Sequence, residues 1–397
     1  MCDNIRNKIV VWGIDGHNTL GLLRQLGSVG LDVVFLMLGK VQHCASESKY
    51  CKTLIQTNTI QEGYEYLLNH FSDEKEKPVI ITPGDEIVEY IDQHRQELIP
   101  RFLIPGTSQS GLLTKLDSKI EMAKYAEKMG IDVPQSFVVN KGSSIDGIKY
   151  PCFLKPSRLK TGHKNEFKFR MCANEKELAN TLKYVRSESE FLLQQYIPTE
   201  EEYVVYGCRM MDNQTAIAGT FIRQRFCDNG DSSYGLITSK IPPTVSLDKI
   251  NKYLEEIDYH GLFSFEYGLF QNKAYFFEVN FRNDGTSQSF FRAGANLPLA
   301  WVYSVIGKDY RSINTVVKNE QYFMDEIYDY ACVIHNKVSK KQWMKERDNA
   351  KIYKYYDQDD MAPYKAMKKQ RIKKLYLDAF IKKYRLYIVY LIDKLKR

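Results

Sequence analysis

Two glutamates, Glu266 and Glu278, are the residues whose type and spacing most directly indicate chemistry in this chain. They are twelve positions apart, and the second begins a Glu-x-Asn-x-Arg pattern that includes Asn280 and ends at Arg282. Residues at even spacing along a strand share a face, so these three side chains are predicted to point the same way. Carboxylate and amide oxygens are ligands that Mg²⁺ prefers. The pattern therefore predicts a magnesium site, with an arginine beside it for a phosphoryl or carboxylate oxygen.

The two glutamates are predicted to lie on a β-hairpin. The segments 264–270 and 274–280 are rich in aromatic residues and flank the short polar turn 271–273. Across such a hairpin Glu266 can lie opposite Glu278. Two carboxylates on one surface repel each other unless a cation joins them, which favours a metal site. A surface hairpin with solvated charges is the alternative interpretation of this segment taken alone.

The beginning of the chain predicts a parallel sheet. Residues 8–38 have the order strand, glycine-containing turn, helix and strand, which is typical of a βαβ unit with buried strands. The turn Gly13-x-x-Gly16 lacks the full spacing of a dinucleotide-binding fingerprint, so a dehydrogenase is a weak alternative. A later turn places Asp85 and Glu86 at the start of a helix. These acids are expected either to cap that helix or to contact an amine or sugar substrate.

A basic loop follows a predicted strand in the middle of the chain. The strand ends at Lys155, and the loop 157–166 carries Arg158, Lys160 and Lys164. A loop with this composition can close over a polyphosphate. Farther along, Arg223 and Arg225 alternate with aromatic residues on a predicted strand, and they are expected either to face a cleft or to be solvated.

Taken in order, these parts resemble the ATP-grasp superfamily over roughly residues 8–310. The resemblance implies a fold of the α/β and α+β classes, in which a Rossmann-like pre-ATP-grasp domain precedes a two-lobed ATP-grasp fold and a basic helical C-terminal tail. The corresponding ranges are 1–115 for the pre-ATP-grasp domain, 116–195 for the first lobe, 196–312 for the second lobe with the magnesium site, 313–362 for a C-terminal extension and 363–397 for the tail.

The resemblance also implies roles for individual residues. Lys119 and Lys155 would contact the nucleotide phosphates, and Lys155 would be catalytic together with Arg282, which would steady an acyl phosphate. The magnesium (or manganese) ligands would be Glu266, Glu278 and Asn280. The loop 157–166 has one glycine where relatives often have several, so its basic side chains are expected to replace part of the backbone contact to phosphate.

The nucleoside half of ATP would lie at a hinge between the two lobes. The resemblance implies that the hinge backbone reads the adenine edge, and it matches Gln194, Gln195, Tyr196 and Ile197 to that hinge. Glu202 would bind the ribose hydroxyls, although Glu201 competes because the register of this acidic run is open. Phe153, with Leu269 or Phe270, is expected either to sandwich the adenine or to belong to the core.

Residues 82–86 and the helix after them are similar to carboxylate–amine ligases of the D-aspartate ligase type. Such an enzyme would use ATP and Mg²⁺ to activate a small carboxylate as an acyl phosphate and join it to an amine, releasing ADP and phosphate. The substrate is expected on a cell-envelope glycan or peptidoglycan precursor. Two alternatives stay open, namely carboxylation through carboxyphosphate and a nucleotide-binding regulator without turnover.

Composition indicates the cellular compartment in which the protein is expected. The eight cysteines of the 397 residues form no Cys-x-x-Cys pair, which argues against a zinc site or a disulfide framework and favours a reducing compartment. The first residues are polar and resemble no signal peptide, and no apolar run approaches the roughly 18 residues of a membrane span. A cytoplasmic location is therefore expected.

Charge is concentrated in the tail. The chain has a net charge of +7, and residues 363–397 contain nine lysines, three arginines and two aspartates, so the preceding residues are slightly acidic. An acidic body argues against nucleic-acid binding. Basic residues interleaved with Leu, Ile and Tyr predict a helix that binds the anionic inner face of a membrane. A packing or oligomer helix and a nucleic-acid-binding tail are the alternatives, and oligomeric state is not predicted.

Overall fold

The computed structural model describes residues 5–140, 147–156, 167, 169–185, 190–227 and 230–374. Its described strands form three sheets, which follow one another along the chain. The predicted α/β and α+β fold is confirmed. Within the described ranges, no helix combines the length and the apolar content that crossing a membrane requires.

The first sheet is parallel and consists of four strands, three of which are continuous apolar runs, whereas β3 is a more polar edge strand. The strands are β1 (Ile9–Ile14), β2 (Val33–Leu38), β3 (Thr53–Thr57) and β4 (Val79–Ile81), in the order β3-β2-β1-β4. The helices of this unit are α1 (His17–Gly27), α2 (Ile60–Phe71), α3 (Asp85–Gln93) and α4 (Arg95–Leu98). The first sheet and these four helices are called the first domain. The chain winds in one direction from β1 to β3 and then crosses back to β4, so a crevice opens at the carboxyl ends of β1 and β4.

The second sheet is small and antiparallel. After α5 (Leu112–Leu116) and α6 (Lys119–Lys128) come β5 (Ser136–Val139), β6 (Cys152–Pro156), β7 (Arg170–Cys172), α7 (Glu175–Tyr184) and β8 (Phe191–Gln195), and the sheet order is β5-β8-β6-β7. One face of the sheet packs Cys152 and Leu154 against Leu178 and Leu182 of α7. The alternation of side chains along β6 places Phe153 and Lys155 on the opposite face.

The third sheet has seven strands in the order β13-β12-β9-β10-β11-β14-β15. All described neighbours in it are antiparallel except the last pair. Its strands are β9 (Glu201–Arg209), β10 (Thr215–Phe226), β11 (Ser232–Thr238), β12 (Gly261–Phe270), β13 (Lys273–Asn280), β14 (Gln321–Met324) and β15 (Ile352–Tyr353). Its helices are α8 (Leu247–Glu256), α9 (Ser287–Arg292), α10 (Leu297–Val305), α11 (Ala331–Ile334) and α12 (Lys340–Asn349).

Alternation along β9 gives this sheet two different faces. Tyr203 and Val205 point into an aromatic core beneath α8, whereas Val204 and Tyr206 point into a second core that includes residues of α1 and α10. The first sheet therefore packs, through α1, against the face that carries Glu202 and the other even-numbered residues of β9. This arrangement brings the crevice of the first sheet next to the hairpin formed by β12 and β13.

A buried ion pair fixes the C-terminal segment to the first helix. The Arg24 Nε atom lies 2.9 Å from an Asp360 carboxylate oxygen, and its guanidinium also donates to the carbonyl oxygens of Tyr355 and Asp360, at 2.9 Å each. Residues 361–374 form a further helix, which packs Tyr364 and Met367 against the core shared with α1. The rest of the predicted tail, 375–397, lies outside the described residues.

Candidate active site

The predicted hairpin is present, with Glu266 directly opposite Glu278 and Ser264 opposite Asn280. The turn is shorter than expected. It has two residues, Gln271 and Asn272, whose φ angles of 50° and 59° are both positive, as in the type I′ turn that suits the twist of antiparallel strands.

A β-bulge restores the register that the short turn would have shifted. Tyr267 is opposite Phe276 whereas Glu266 is opposite Glu278, which leaves Phe277 as the extra residue. Without this bulge a two-residue turn would place Phe277 opposite Glu266. The bulge thus allows Phe276 to point into the core while Glu278 and Asn280 share a face with Glu266.

Each of the two glutamates is paired with a different cation. Lys119, the first residue of α6, places its Nζ atom 3.0 Å from a Glu278 carboxylate oxygen. Arg223, on β10, places an Nη atom 2.6 Å from a Glu266 carboxylate oxygen. The two carboxylates can therefore lie side by side without repelling each other strongly, because each charge is balanced locally.

The pairing makes the two carboxyl groups electrostatically unequal. The Lys119 charge lowers the pKa of Glu278 against the opposing effect of burial. Burial raises the pKa of Glu266, an effect that the Arg223 charge only partly offsets and that the Glu278 charge increases. The two shifts have opposite directions, so Glu266 is the weaker acid of the pair.

Arg282 connects the hairpin to the first domain. Its guanidinium makes two hydrogen bonds to the Asp85 carboxylate, one of them 3.0 Å long, and donates to Asn280 Oδ1 at 3.0 Å. The Asp85 charge raises the pKa of Arg282 although burial acts in the opposite sense. Gly84 is the N-cap of α3 and no side chain caps it, so the expected side-chain cap by Asp85 or Glu86 is not formed. Asp85 instead holds an arginine that lies 197 positions away.

Lys155 lies on the free face of the second sheet. Its Nζ atom donates to Gln194 Oε1 at 2.9 Å and lies 5.3 Å from the centre of the Phe153 ring. Burial, together with the nearby Lys119 charge, lowers the pKa of Lys155 to about 8. No carboxylate is paired directly with this amine among the described residues, so it is a cation without a fixed counter-ion.

The predicted hinge joins the second and third sheets. Gln195 and Tyr196 donate their N–H groups to the carbonyl oxygens of Gln135 (2.8 Å) and Pro151 (3.1 Å). The N–H group of Ile197 has no acceptor within the described part of the chain. The ring of Tyr196, the residue before Ile197, meets the Phe153 ring edge to face at 5.2 Å.

The two competing glutamates at the start of β9 have different surroundings. Glu202 accepts a hydrogen bond from the Thr199 hydroxyl at 3.3 Å and lies 3.7 Å from an Arg223 nitrogen. Glu201 accepts a hydrogen bond from the Tyr203 hydroxyl at 2.7 Å and is exposed. Glu202 is thus the one that shares a face with Arg223.

A cavity of about 790 Å³ lies between the first domain and the hairpin. Arg223 lines it together with Glu266, Glu278, Asn280 and Arg282. Arg225 does not face this cavity, because a bulge after Arg223 turns it toward Asp329 and Glu346, with nitrogen–oxygen distances of 2.6 Å to each. The wall from the first domain includes residues of the turns at the carboxyl ends of β1 and β4, such as His17, Asn18, Pro83 and Asp85.

Three further residues that line or adjoin the cavity, Lys354, Asp284 and Asn283, were not predicted from the sequence. Lys354 lines the cavity from the segment after β15, where its Nζ atom lies 3.0 Å from Asp325. Asp284 accepts hydrogen bonds from Ser264 (2.8 Å) and from the Thr286 N–H group (2.7 Å). Asn283 is buried beside them. An Asn-Asp-Gly run usually indicates an exposed turn, which is why its position after Arg282 was the only available clue.

The oxygen atoms on the hairpin fit a hard divalent cation. Two carboxylates directly opposite each other and one amide oxygen on the same face are a donor set that suits Mg²⁺, which takes few protein ligands and keeps water or phosphate oxygens for the rest. No group of three or more His, Cys, Asp or Glu side chains placed to hold a metal occurs in the described ranges. The two carboxylates and the amide oxygen fit a cation that takes its remaining ligands from water or substrate. The predicted basic loop 157–166 lies outside the described residues.

The three-sheet architecture is the ATP-grasp fold, and the resemblance inferred from the sequence is confirmed. No family model matches the chain. Among solved structures, N5-carboxyaminoimidazole synthetase from Staphylococcus aureus complexed with ADP gives a TM-score of 0.64 at 16% identity and covers 84% of this chain and 88% of its own. L-amino acid ligase from Bacillus licheniformis gives a TM-score of 0.59 at 11% identity, with 80% of each chain covered.

Sequence relatives include two enzymes that the chain matches in part. D-aspartate ligase from Enterococcus faecium is 23% identical over 246 residues, which cover 57% of this chain and 58% of the relative. The carbamoyl phosphate synthase large chain of Buchnera aphidicola is 27% identical over 219 residues, or 52% of this chain and 20% of the relative. The chain therefore matches less than two thirds of the length of either relative.

Proposed function

We propose that this protein is an ATP- and Mg²⁺-dependent ligase that activates a carboxylate as an acyl phosphate and joins it to an amine. The observation that carries the proposal is the register of Glu266 with Glu278, which places both acids on one wall of the cavity together with Arg223 and Arg282, while Lys119 pairs with Glu278. The similarity to D-aspartate ligase and to an L-amino acid ligase supports the same reaction class.

ATP would lie between the second and third sheets. The adenine would contact the Phe153 ring and the open N–H group of Ile197, and Glu202 would accept hydrogen bonds from the ribose hydroxyls. Lys155, a cation without a fixed counter-ion, would bind the phosphates. Binding a polyphosphate next to this amine would also raise its pKa back toward that of an ordinary lysine, because the charged form gains a partner.

Glu266, Glu278 and Asn280 would hold Mg²⁺. When bound, the ion would supply positive charge that stabilises the phosphate oxygens during phosphoryl transfer. Lys119, which is now paired with Glu278, would be available to bind a phosphate oxygen if Glu278 held the ion. Arg223 likewise can turn from Glu266 to Glu202 or to the substrate. The present ion pairs thus keep the cations close to where the phosphates would lie.

The residues around the γ-phosphate would position reactants and would not act as nucleophiles. The substrate carboxylate attacks the γ-phosphorus, ADP leaves, and the acyl phosphate forms; the amine then attacks the acyl carbon, loses a proton and expels phosphate. Arg282 presents a planar fork that can bind the transferred phosphoryl group or the developing oxyanion in bidentate fashion. Asp85 and Glu86, at the first-domain end of the cavity, provide negative charge for an amine that arrives as a cation.

The test is ADP release with Mg²⁺ and ATP over a panel of D- and L-amino acids, with hydroxylamine present to trap an acyl phosphate. A hydroxamate formed from one amino acid, dependent on both ATP and enzyme, would establish the ligase and identify the carboxylate that is activated. Tight ATP binding without ADP release on any substrate of the panel, including amine-rich acceptors, would favour a nucleotide-binding regulator.

A carboxylase that forms carboxyphosphate is the second candidate, because five of the structural neighbours are N5-carboxyaminoimidazole or N5-carboxyaminoimidazole ribonucleotide synthetases. The same fold and the same phosphoryl transfer would serve both reactions. Bicarbonate distinguishes them. ADP release that requires bicarbonate and no amino acid would support the carboxylase and contradict the amino-acid ligase.

The finer proposal is that the enzyme works on a cell-envelope precursor at the inner face of the membrane. It rests on the basic charge of residues 363–397 and on the D-aspartate ligase similarity. Flotation with anionic and neutral liposomes tests it. The comparison is full-length protein against a chain that ends at residue 374, because residues 361–374 pack on the core and their removal would disturb the fold. Equal, weak flotation of both chains would remove the membrane proposal.

A further inference from the structure

A buried asparagine next to Arg282 connects separate parts of the fold. Asn283 is 1% exposed. Its Oδ1 atom accepts a hydrogen bond from the Tyr206 hydroxyl of β9 at 2.9 Å, and its Nδ2 atom donates to the Ser287 hydroxyl of α9 at 2.8 Å. The same Nδ2 atom lies 2.6 Å from the side-chain oxygen of Asn18, on α1. One side chain thus joins a strand and two helices, and it does so from the residue that follows Arg282.

The contact between Asn18 and Asn283 is reciprocal. Asn18 donates its Nδ2 group to the backbone carbonyl of Asn283 at 3.0 Å and to that of Pro83 at 3.4 Å. Backbone carbonyls only accept, so the amide nitrogen of Asn18 must face them and its oxygen must face Asn283. The orientation of both side chains follows from this chemistry. A carboxylate at position 18 would lack the donor, and a carboxylate at position 283 would oppose the oxygen of Asn18.

This pair fixes the position of the backbone next to Arg282. The Asn283 carbonyl that Asn18 holds also accepts a hydrogen bond from the Arg282 guanidinium at 3.2 Å. The Asn283 N–H group in turn donates to the Thr82 carbonyl at 3.4 Å, at the end of the strand that leads to Asp85. The first domain therefore holds Arg282 by two contacts. Asp85 binds the Arg282 guanidinium, and Asn18 binds the backbone carbonyl of the next residue, Asn283.

We propose that Asn18 and Asn283 are a positioning pair for the proposed ligase reaction, holding Arg282 at the angle from which it binds the transferred phosphoryl group. The inference rests on the proposed function, because it gives Arg282 a task whose geometry matters. Misplacement of a reacting or binding group by about 1 Å can cost on the order of 100-fold in rate. The pair would thus influence turnover without itself contacting the phosphoryl group.

The kinetic test uses Asn18→Ala, because Asn283 is fully buried and its replacement endangers folding. We expect kcat to fall roughly 10- to 100-fold while the KM for ATP stays within about threefold of its original value. The matched control is Thr59→Ala, which removes the cap that accepts from the Glu62 N–H group at 3.1 Å on α2 of the same domain. Thr59→Ala should lose about as much stability as Asn18→Ala, as is usual when a helix cap is removed, and its kcat should be unchanged.

Two kinetic results would overturn the inference. In the first, Asn18→Ala and Thr59→Ala lose equal stability and lower turnover in proportion to that loss. In the second, Asn18→Ala changes only the KM of the carboxylate substrate. The first would make the pair merely structural. The second would make Asn18 a substrate-binding residue.

A second measurement does not depend on turnover. Thermal unfolding of Asn18→Ala, Asp85→Ala and the double variant should show a non-additive loss of stability, because both residues act on Arg282. The cycle of Asn18→Ala with Thr59→Ala should be additive. If no substrate supports turnover, the proposed function fails while this comparison still decides the inference. Additive behaviour in both cycles would overturn the positioning pair whatever the enzyme does.

Discussion

Glu266 and Glu278 face each other across the hairpin, and each is paired with its own cation. Arg223 pairs with Glu266, and Lys119 pairs with Glu278. This division explains how two partly buried acids can lie side by side. It also means that a divalent cation entering the site must compete with two ion pairs. Binding of the metal and rearrangement of the two basic side chains are therefore expected to occur together.

Removal of one of these charges should stop the chemistry without unfolding the protein. We expect Glu278→Gln to lower ADP formation by at least about 100-fold, because a neutral amide binds a hard cation poorly and no longer balances Lys119. The fold should persist, since the side chain is about one third exposed and glutamine can still accept from Lys119. The measurement is ADP release together with thermal unfolding.

The control for this variant is Glu256→Gln, at the surface pair with Lys128. It removes the same charge from an exposed position and should leave turnover within about twofold, as surface pairs contribute little. Normal turnover in Glu278→Gln would contradict the metal-site assignment. Unfolding of that variant would instead make Glu278 a structural residue.

The nucleotide site should be sensitive to which of two adjacent glutamates is changed. Glu202→Ala is expected to weaken ATP binding by about tenfold, the loss typical of a hydrogen bond to a charged group. Glu201→Ala should leave the ATP Kd unchanged, since its carboxylate points to the Tyr203 hydroxyl and not to the cleft. Calorimetric titration of the two variants with the same nucleotide checks this. Equal effects would mean that the ribose contact lies elsewhere.

Lys155 should give ATP binding a pH dependence above neutrality. Its pKa is lowered from 10.5 to about 8, so the cation that would bind phosphate is lost as the pH rises through about 8. We expect the Kd for ATP to increase between about pH 8 and pH 9.5, with proton uptake on binding in that range. Lys155→Arg should shift the loss to higher pH, because guanidinium stays protonated.

The same pKa has a consequence for stability, with a definite sign. Between about pH 8 and pH 10.5 the unfolded chain keeps a proton on Lys155 that the folded protein has released. The contribution of this residue to the free energy of unfolding therefore rises with pH across that interval. The Lys155→Met variant should lack this component, which urea titrations of the two proteins at several pH values can measure. An identical pH slope in both proteins would contradict the lowered pKa.

Sequence patterns located the hairpin because its signals are local. The acid spacing, the aromatic runs and the polar turn all lie within residues 264–282, and alternation decides which side chains share a face. The predicted pairing of Glu266 with Glu278 is correct although the predicted turn is one residue too long. The observed two-residue turn with a bulge at Phe277 gives the same pairing as a three-residue turn without a bulge. A pattern of types alone cannot distinguish the two, because both place Glu278 opposite Glu266.

Partners that come from distant parts of the chain were not visible in the sequence. Asp85 looked like a helix cap because its neighbours define a helix start, and only the packing of the first domain brings it to Arg282. Arg223 and Arg225 looked equivalent, and a one-residue bulge sends them to different partners. Asn18 and Asn283 carry no local signal, because an amide becomes specific only when burial removes water as its alternative partner.

The buried pair of Arg24 and Asp360 should dominate the stability of the contact between the first domain and the C-terminal segment. Both side chains are 1% exposed, and Asp360 also accepts hydrogen bonds from the Ser48 hydroxyl (2.7 Å) and the Lys49 N–H group (2.9 Å). Asp360→Ala leaves the buried guanidinium its two carbonyl partners, but its nearest carboxylate among the described residues is then Asp357, at 3.7 Å. We expect a loss of about 3 kcal/mol or more in the free energy of unfolding, as when one partner of a buried pair is removed.

An exposed aspartate provides the comparison for this variant. Asp309 lies 3.5 Å from Arg311, whose side chain is 74% exposed. Asp309→Ala should therefore change the free energy of unfolding by less than about 0.5 kcal/mol, since solvent screens the pair. Urea denaturation of both variants decides the matter. If the two losses were alike, the contact would be held by the apolar packing of α1 and not by the charges, and the C-terminal segment that carries Lys354 would be anchored without Arg24.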